Sequence, residues 1–145
     1  MKKLLLVIAT GVAAYTGYIR CLPLHPKASA AETGQSDSIL AKAFENHASN
    51  LQVQGQGVVT TILSDDNDGS RHQRFIIRLS SSQTILIAHN IDLAPRVSSL
   101  REGDSVSFSG TYEWNAKGGV VHWTHRDPSG RHPPGWLKHK GQTVE

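Results

Sequence analysis

Three groups of residues in this chain carry side chains able to do chemistry. Val121-His122-Trp123-Thr124-His125 sets two imidazoles three residues apart, and histidine exchanges protons near neutral pH. Arg71, Arg74 and Arg78, with Arg96 further on, supply guanidinium groups whose planar forks match pairs of phosphate oxygens. The run from Ser64 to Ser70 holds Asp65, Asp66 and Asp68, and carboxylates on one loop suit a hard divalent cation. Together these are the parts of a phosphodiester hydrolase acting on DNA or RNA. In that reading Arg74 and Arg96 hold the phosphate, and His122 or His125 moves a proton. Asp66 and Asp68, with His72, His89 and Glu113 as further ligands or orienting groups, bind a divalent ion such as calcium, magnesium, manganese or zinc. Arg71, Arg78, Asn90 and Arg126 are the remaining candidates for substrate contacts.

Each group also has a plainer reading. Asp68-Gly69 is a turn, and Asp or Asn beside it satisfies its own backbone. A row of arginines on a strand can be an ordinary solvated face. In a regular strand His122 and Thr124 point to one side and Trp123 and His125 to the other. The two histidines therefore converge only if the strand ends or bulges before His125, and Asp127-Pro128 marks such an end.

The elements that must hold these residues are mostly strands. Phe75, Ile77 and Leu79, then Ile85 and Ile87, recur every second residue around the polar turn Ser80-Ser81-Ser82-Gln83, as a hairpin with one buried face requires. Before it, 51–63 reads as a long strand that Gly55 and Gly57 allow to bend. After it, Val106 and Phe108 alternate with serines, and Asn115 to Gly119 turns the chain into a return strand at Val120. A helix is expected over 37–49, capped by Asp37, with Leu40, Ala43 and Phe44 on its inner face. These elements predict a mainly β or α+β fold: a small five-stranded OB-like barrel over about 51–125 with an N-terminal amphipathic helix. Val58, Phe75, Ile77, Ile85, Ile87, Val106 and Phe108 are its expected core, and Trp114 and Trp123 add to it. Residues 126–145 read as a Pro- and Gly-rich tail laid over the barrel by Trp136 and Leu137.

Residues 1–30 have the form of a signal peptide: Lys2-Lys3, an apolar run from Leu4 to Ile19, and Ala28-Ser29-Ala30 before a cut. An uncleaved membrane anchor is the alternative, and membrane attachment follows only in that case. Export to the periplasm or beyond is expected, with 31–145 as one domain. Removing Lys2, Lys3, Arg20 and Lys27 leaves 11 of the 15 basic residues against all 12 acidic ones, a formal charge of −1. Binding to a nucleic acid would therefore need a local basic patch rather than a general positive field. The leader also takes the single cysteine, Cys21, so the rest of the chain has no thiol for catalysis, metal binding or a disulfide.

The stretches RHQRF, AHNIDLAPR, GDSVSFSG, YEWN, GGVVHWTH and DP, in this order after an exported leader, resemble a small bacterial family known only as a domain of unknown function. The resemblance covers about Gly57 to Gly135. More distantly, an exported barrel with an acidic loop after its long first strand is similar to thermonuclease-type nucleases. That resemblance implies Asp65, Asp66 or Asp68 as calcium carboxylates and Arg74 or Arg96 as phosphate-binding arginines, although the spacing differs and the paired histidines are foreign to it. A metal-dependent nuclease or phosphodiesterase is thus the leading expectation. The alternatives are a nonenzymatic nucleic-acid- or polyanion-binding barrel, a transition-metal module using His72, His89, His122 and His125, and an envelope interaction module. No obligate protein partner is inferred.

Overall fold

A computed structural model describes residues 30–145. The expected leader lies outside them except for Ala30. The first element is the helix α1 (Ala30–Glu45), followed by the strands β1 (Leu51–Ile62), β2 (His72–Arg78), β3 (Thr84–Asn90), β4 (Ser105–Glu113), β5 (Val120–His122), β6 (Trp136–His139) and β7 (Gln142–Val144). Pairing runs β1-β2-β3-β5-β4 and returns from β4 to β1, which closes a five-stranded barrel of OB type. All neighbours in it are antiparallel except β3 and β5.

Closure depends on β1 serving two partners. Leu51 to Val58 pair with β4 and Val58 to Ile62 with β2, with an irregularity in register between Val59 and Thr61. Gly55 and Gly57 face inward along the first half. A Cβ on Gly55 would stand 2.7 Å from the Phe108 ring, and one on Gly57 would stand 2.9 Å from the Arg78 carbonyl. The wall can coil this tightly because nothing projects there. The same coiling puts Val59 inside and leaves Val58 outside, 41% exposed. Val58 is therefore not a core residue, contrary to the alternation-based expectation. The other six expected residues, Phe75, Ile77, Ile85, Ile87, Val106 and Phe108, are buried.

Helix α1 plugs one end of the barrel with Leu40 and Ala43. It begins seven residues earlier than expected, and Asp37 lies inside it rather than at its cap. The buried Asp37 carboxylate accepts hydrogen bonds from the Ser80 hydroxyl and from the Ser81 N–H at 2.9 Å, pinning the helix to the β2–β3 turn. At its other end, Trp114 donates its indole N–H to the Phe44 carbonyl at 3.1 Å. Trp114 is partly buried against the core.

Residues 126–145 are more than a covering tail. Strand β6 adds to β4 beside β5, and β7 pairs with β6 across Lys140-Gly141. Both turn residues have positive φ, 48° and 81°, as a two-residue hairpin whose twist matches its strands requires. Leu137 is fully buried, so the hairpin shares the barrel's core. Asp104 holds the hairpin from outside: its carboxylate takes His139 at 2.8 Å and Lys140 at 3.2 Å. These bonds, His139's foremost, hold the Asp104 carboxyl below its ordinary range.

Candidate functional site

Three of the arginines singled out from sequence, Arg71, Arg74 and Arg96, meet acids at the rim formed by the β1–β2 loop and the turn after β3. Arg71 grips Asp92 with its backbone N–H at 2.8 Å and its Nε at 2.7 Å. Those bonds depress the Asp92 pKa. Arg74 donates Nε–H to the Ser64 carbonyl at 3.1 Å and stands 3.8 Å from Asp66. Arg96 pairs with Asp65, and Arg126 with Glu145 at 2.5 Å. Asn90 accepts the Asp92 N–H at 2.9 Å in a local turn. Asp66 likewise accepts the Asp68 N–H at 3.1 Å, and its backbone bridges that of His72.

The structure does not gather the expected metal ligands. Asp66, Asp68 and His72 sit at the loop, His89 points into the interior, and Glu113 lies two strands beyond β3. Among the described residues no three His, Asp or Glu side chains are placed to hold a metal ion. With Asp65 and Asp66 turned toward Arg96 and Arg74, these residues do not fit the calcium site that the nuclease resemblance implies.

The histidines sort by the end of β5. That strand stops at His122, and Trp123 adopts positive φ, 52°, which reverses the side-chain alternation. Thr124 and His125 both turn inward and are buried. His125 consequently approaches His89, at 6.2 Å between ring centres, rather than His122. His89 is fully buried, with Nε2 3.0 Å from the Pro95 carbonyl and Nδ1 2.8 Å from the Thr124 hydroxyl. A proline carbonyl can only accept, so Nε2 carries the proton and Nδ1 accepts from Thr124. Burial lowers the His89 pKa. This imidazole is a neutral pin between β3, the following loop and the segment after β5. His125 donates Nδ1–H to the Arg126 carbonyl at 2.7 Å.

His122 is partly exposed and lies beside a carboxylate, with its Nε2 buried. Its Nε2 lies 3.7 Å from Glu113, beyond hydrogen-bond reach, and has no other hydrogen-bond partner. Burial lowers its pKa, and Glu113 opposes that effect. Trp123 is half-buried rather than core, and stacks on His132 with 3.8 Å between ring centres.

A different surface collects the cations that keep their charge free. On the outer faces of β2, β1, β4 and β6, the registers align Arg78 with Val58 and Ser105, Gln56 with Ser107 and Lys138, and Gln54 with Ser109 and Trp136. The first turns of α1 wall this surface into a groove of about 730 Å³ lined by Arg78, Lys138 and Lys140, with no carboxylate in its lining. It runs into a second hollow of about 500 Å³ lined by Gln54, Trp136 and Ile39 and by one carboxylate, Glu32. Neither Arg78 nor Lys138 has an ion-pair partner among the described residues.

Residues 24–145 match the family described as a protein of unknown function, DUF3465. The chain belongs to that family. No curated protein matches the chain. The sequence resemblance to a family of unknown function is thereby borne out, and the family brings no reaction with it. Of the groove's residues only Arg78 was singled out as a substrate contact. Lys138 and Trp136 lie in the stretch read as a tail. The available signals were the alternation in Trp136-Leu137-Lys138-His139 and in Gln52-Val53-Gln54-Gly55-Gln56, each of which turns every second residue to one face.

Proposed function

We propose that this family member is an exported, nonenzymatic barrel that binds an anionic polymer in the groove between α1 and strands β1, β4 and β6. The observation that carries this reading is the contrast in charge. Arg71, Arg74, Arg96 and Arg126 are paired with carboxylates of the chain. Arg78, Lys138 and Lys140 line one concavity that no carboxylate lines, and only Lys140 of the three is paired. A charge already neutralised by a neighbour attracts a polyanion less than a free one, and a concave low-dielectric wall concentrates the field of those that remain. The test is affinity of the full chain for fluorescent single-stranded DNA and for a sulfated polysaccharide, measured by anisotropy. Arg78→Ala and Lys138→Ala each weaken binding several-fold, whereas Arg96→Ala leaves it within twofold. Equal effects of all three substitutions, or no binding of either polymer, would reject the groove.

A phosphodiester hydrolase is the second reading, and the His122–Glu113 pair favours it. A carboxylate near one nitrogen of an imidazole can orient the other as a general base. Its test is turnover of labelled DNA and RNA with calcium, magnesium, manganese or zinc and with EDTA. Cleavage abolished by His122→Ala supports it. Absence of turnover by the folded wild type leaves the binding reading alone.

A further inference from the structure

We infer that the groove's ligand is an acidic glycan, a sugar chain bearing carboxylate or sulfate groups, rather than a nucleic acid. This inference rests on the polyanion reading above and names its substrate class. The two hollows share Gln56, Ser107 and Lys138, so they form one channel, with Arg78 and Lys140 at one end and, at the other, the uncharged Gln35, Ser36, Gln54 and Trp136 beside a single carboxylate, Glu32. Their volumes, about 730 and 500 Å³, are each in the range of small-ligand sites.

The glutamine- and tryptophan-lined end has the chemistry of sugar recognition. Gln56 donates its amide to the Ser105 hydroxyl at 2.7 Å, which fixes the side chain and leaves its carbonyl oxygen to accept. The Gln54 side chain, one row away and exposed, makes no hydrogen bond to the described residues. A sugar hydroxyl both donates and accepts, and an amide offers both functions in a fixed plane. Trp136 stands in the same row as Gln54, across Ser109, as a half-buried indole against which the apolar C–H face of a pyranose can lie.

Nucleic acid fits the same surface poorly. Single-strand binders use successive aromatic platforms together with a basic track that follows the phosphates. Here the lining offers one indole, and the two free cations stand three strands apart, on β2 and β6. That separation is roughly 14 Å at the backbone, from a strand spacing of about 4.8 Å. Sparse charge with neutral polar groups between suits a chain ionised at intervals.

The experiment titrates the full chain, expressed with its own leader, with four probes of similar length: hexagalacturonate, a heparin-derived hexasaccharide, maltohexaose and hexathymidylate. Calorimetry gives affinity, and NMR follows the Trp136 indole N–H and the Gln54 and Gln56 side-chain amides. The uronate or the sulfated sugar binds, moves these signals and binds at least tenfold tighter than hexathymidylate; which of the two is preferred separates carboxylate from sulfate. Gln54→Ala, at an exposed position that leaves the barrel intact, weakens glycan binding about threefold or more, and Trp136→Ala weakens it further. Hexathymidylate binding tighter than both acidic glycans overturns the inference and leaves the polyanion reading standing. Glycan binding indifferent to Gln54→Ala and Trp136→Ala also overturns it. Failure of every charged probe removes the polyanion reading itself, as does maltohexaose binding as tightly as the acidic glycans.

Discussion

Thr124→Val isolates the buried histidine pin. Valine keeps the shape of threonine and removes only the hydroxyl that donates to His89 Nδ1 at 2.8 Å. Because Nε2 is held by the Pro95 carbonyl at 3.0 Å, His89 cannot switch tautomer without losing that bond. A fully buried acceptor is therefore left without a donor, at a cost of about 1–3 kcal/mol. Thr124→Ser is the control. It keeps the donor and loses the methyl, which lies 3.0 Å from where a Cβ on Gly110 would stand, at a cost of about 0.8 kcal/mol. Urea denaturation at pH 8, where the imidazole is neutral in the folded and unfolded chain, gives both values. The valine variant should lose about 1–3 kcal/mol, up to about 2 kcal/mol more than the serine variant. Equal losses, or a loss below about 0.5 kcal/mol for valine, would refute the assigned direction of the hydrogen bond. Imidazole nitrogen-15 shifts would show independently whether the proton sits on Nε2.

Further outcomes follow from the same structure. The pKa of His89, and in the same direction that of His122, lies below 6.5 in the fold, so below pH 6.5 the unfolded chain takes up protons first and stability falls. The urea midpoint should therefore be lower at pH 5.5 than at pH 8, and an unchanged midpoint would contradict this. Asp92 and Asp104, whose pKa values are lowered, contribute stability above pH 3.8 that is lost as pH falls through their folded values, visible as a second decline in acid. Phe108→Ala should cost about 3–5 kcal/mol in the same assay, since the ring is fully buried. Gly55→Val should destabilise the barrel because its Cβ meets that ring at 2.7 Å, and Phe108→Leu should partly relieve the clash. Calorimetric melting of the double variant above that of Gly55→Val checks it.

The barrel was legible because its strands alternate on one buried face. Phe75, Ile77, Ile85, Ile87, Val106 and Phe108 announce the core in order, and the glycines in β1 mark where one strand changes partners. Alternation failed where the backbone leaves the extended region. Val58 lies where β1 passes from β4 to β2, and a residue-by-residue period cannot show that Val59 takes the interior. The left-handed turn at Trp123 likewise put Thr124 inside and left Trp123 only half-buried. Residue types announced arginines, acids and histidines but not their pairings, because Arg71–Asp92, Arg74–Asp66 and Arg96–Asp65 depend on loops brought together by closure. The groove was hidden for a further reason: its cations come from β2 and from a hairpin whose Pro- and Gly-rich approach disguises two strands.

The salt dependence of polyanion binding tests the central claim most directly. A single-stranded DNA 12-mer serves as a generic polyanion for the full chain, with affinity measured from about 50 to 200 mM salt, the range over which counterion release dominates. Arg78 and Lys138 face the groove unpaired, whereas Lys140 is held by Asp104. Substituting both free cations by alanine should flatten the slope of log affinity against log salt by about 1.4, from two counterions at about 0.7 each. Arg71→Ala with Arg96→Ala should leave the slope unchanged. A slope that survives loss of Arg78 and Lys138, or that collapses with Arg71 and Arg96, would contradict the account.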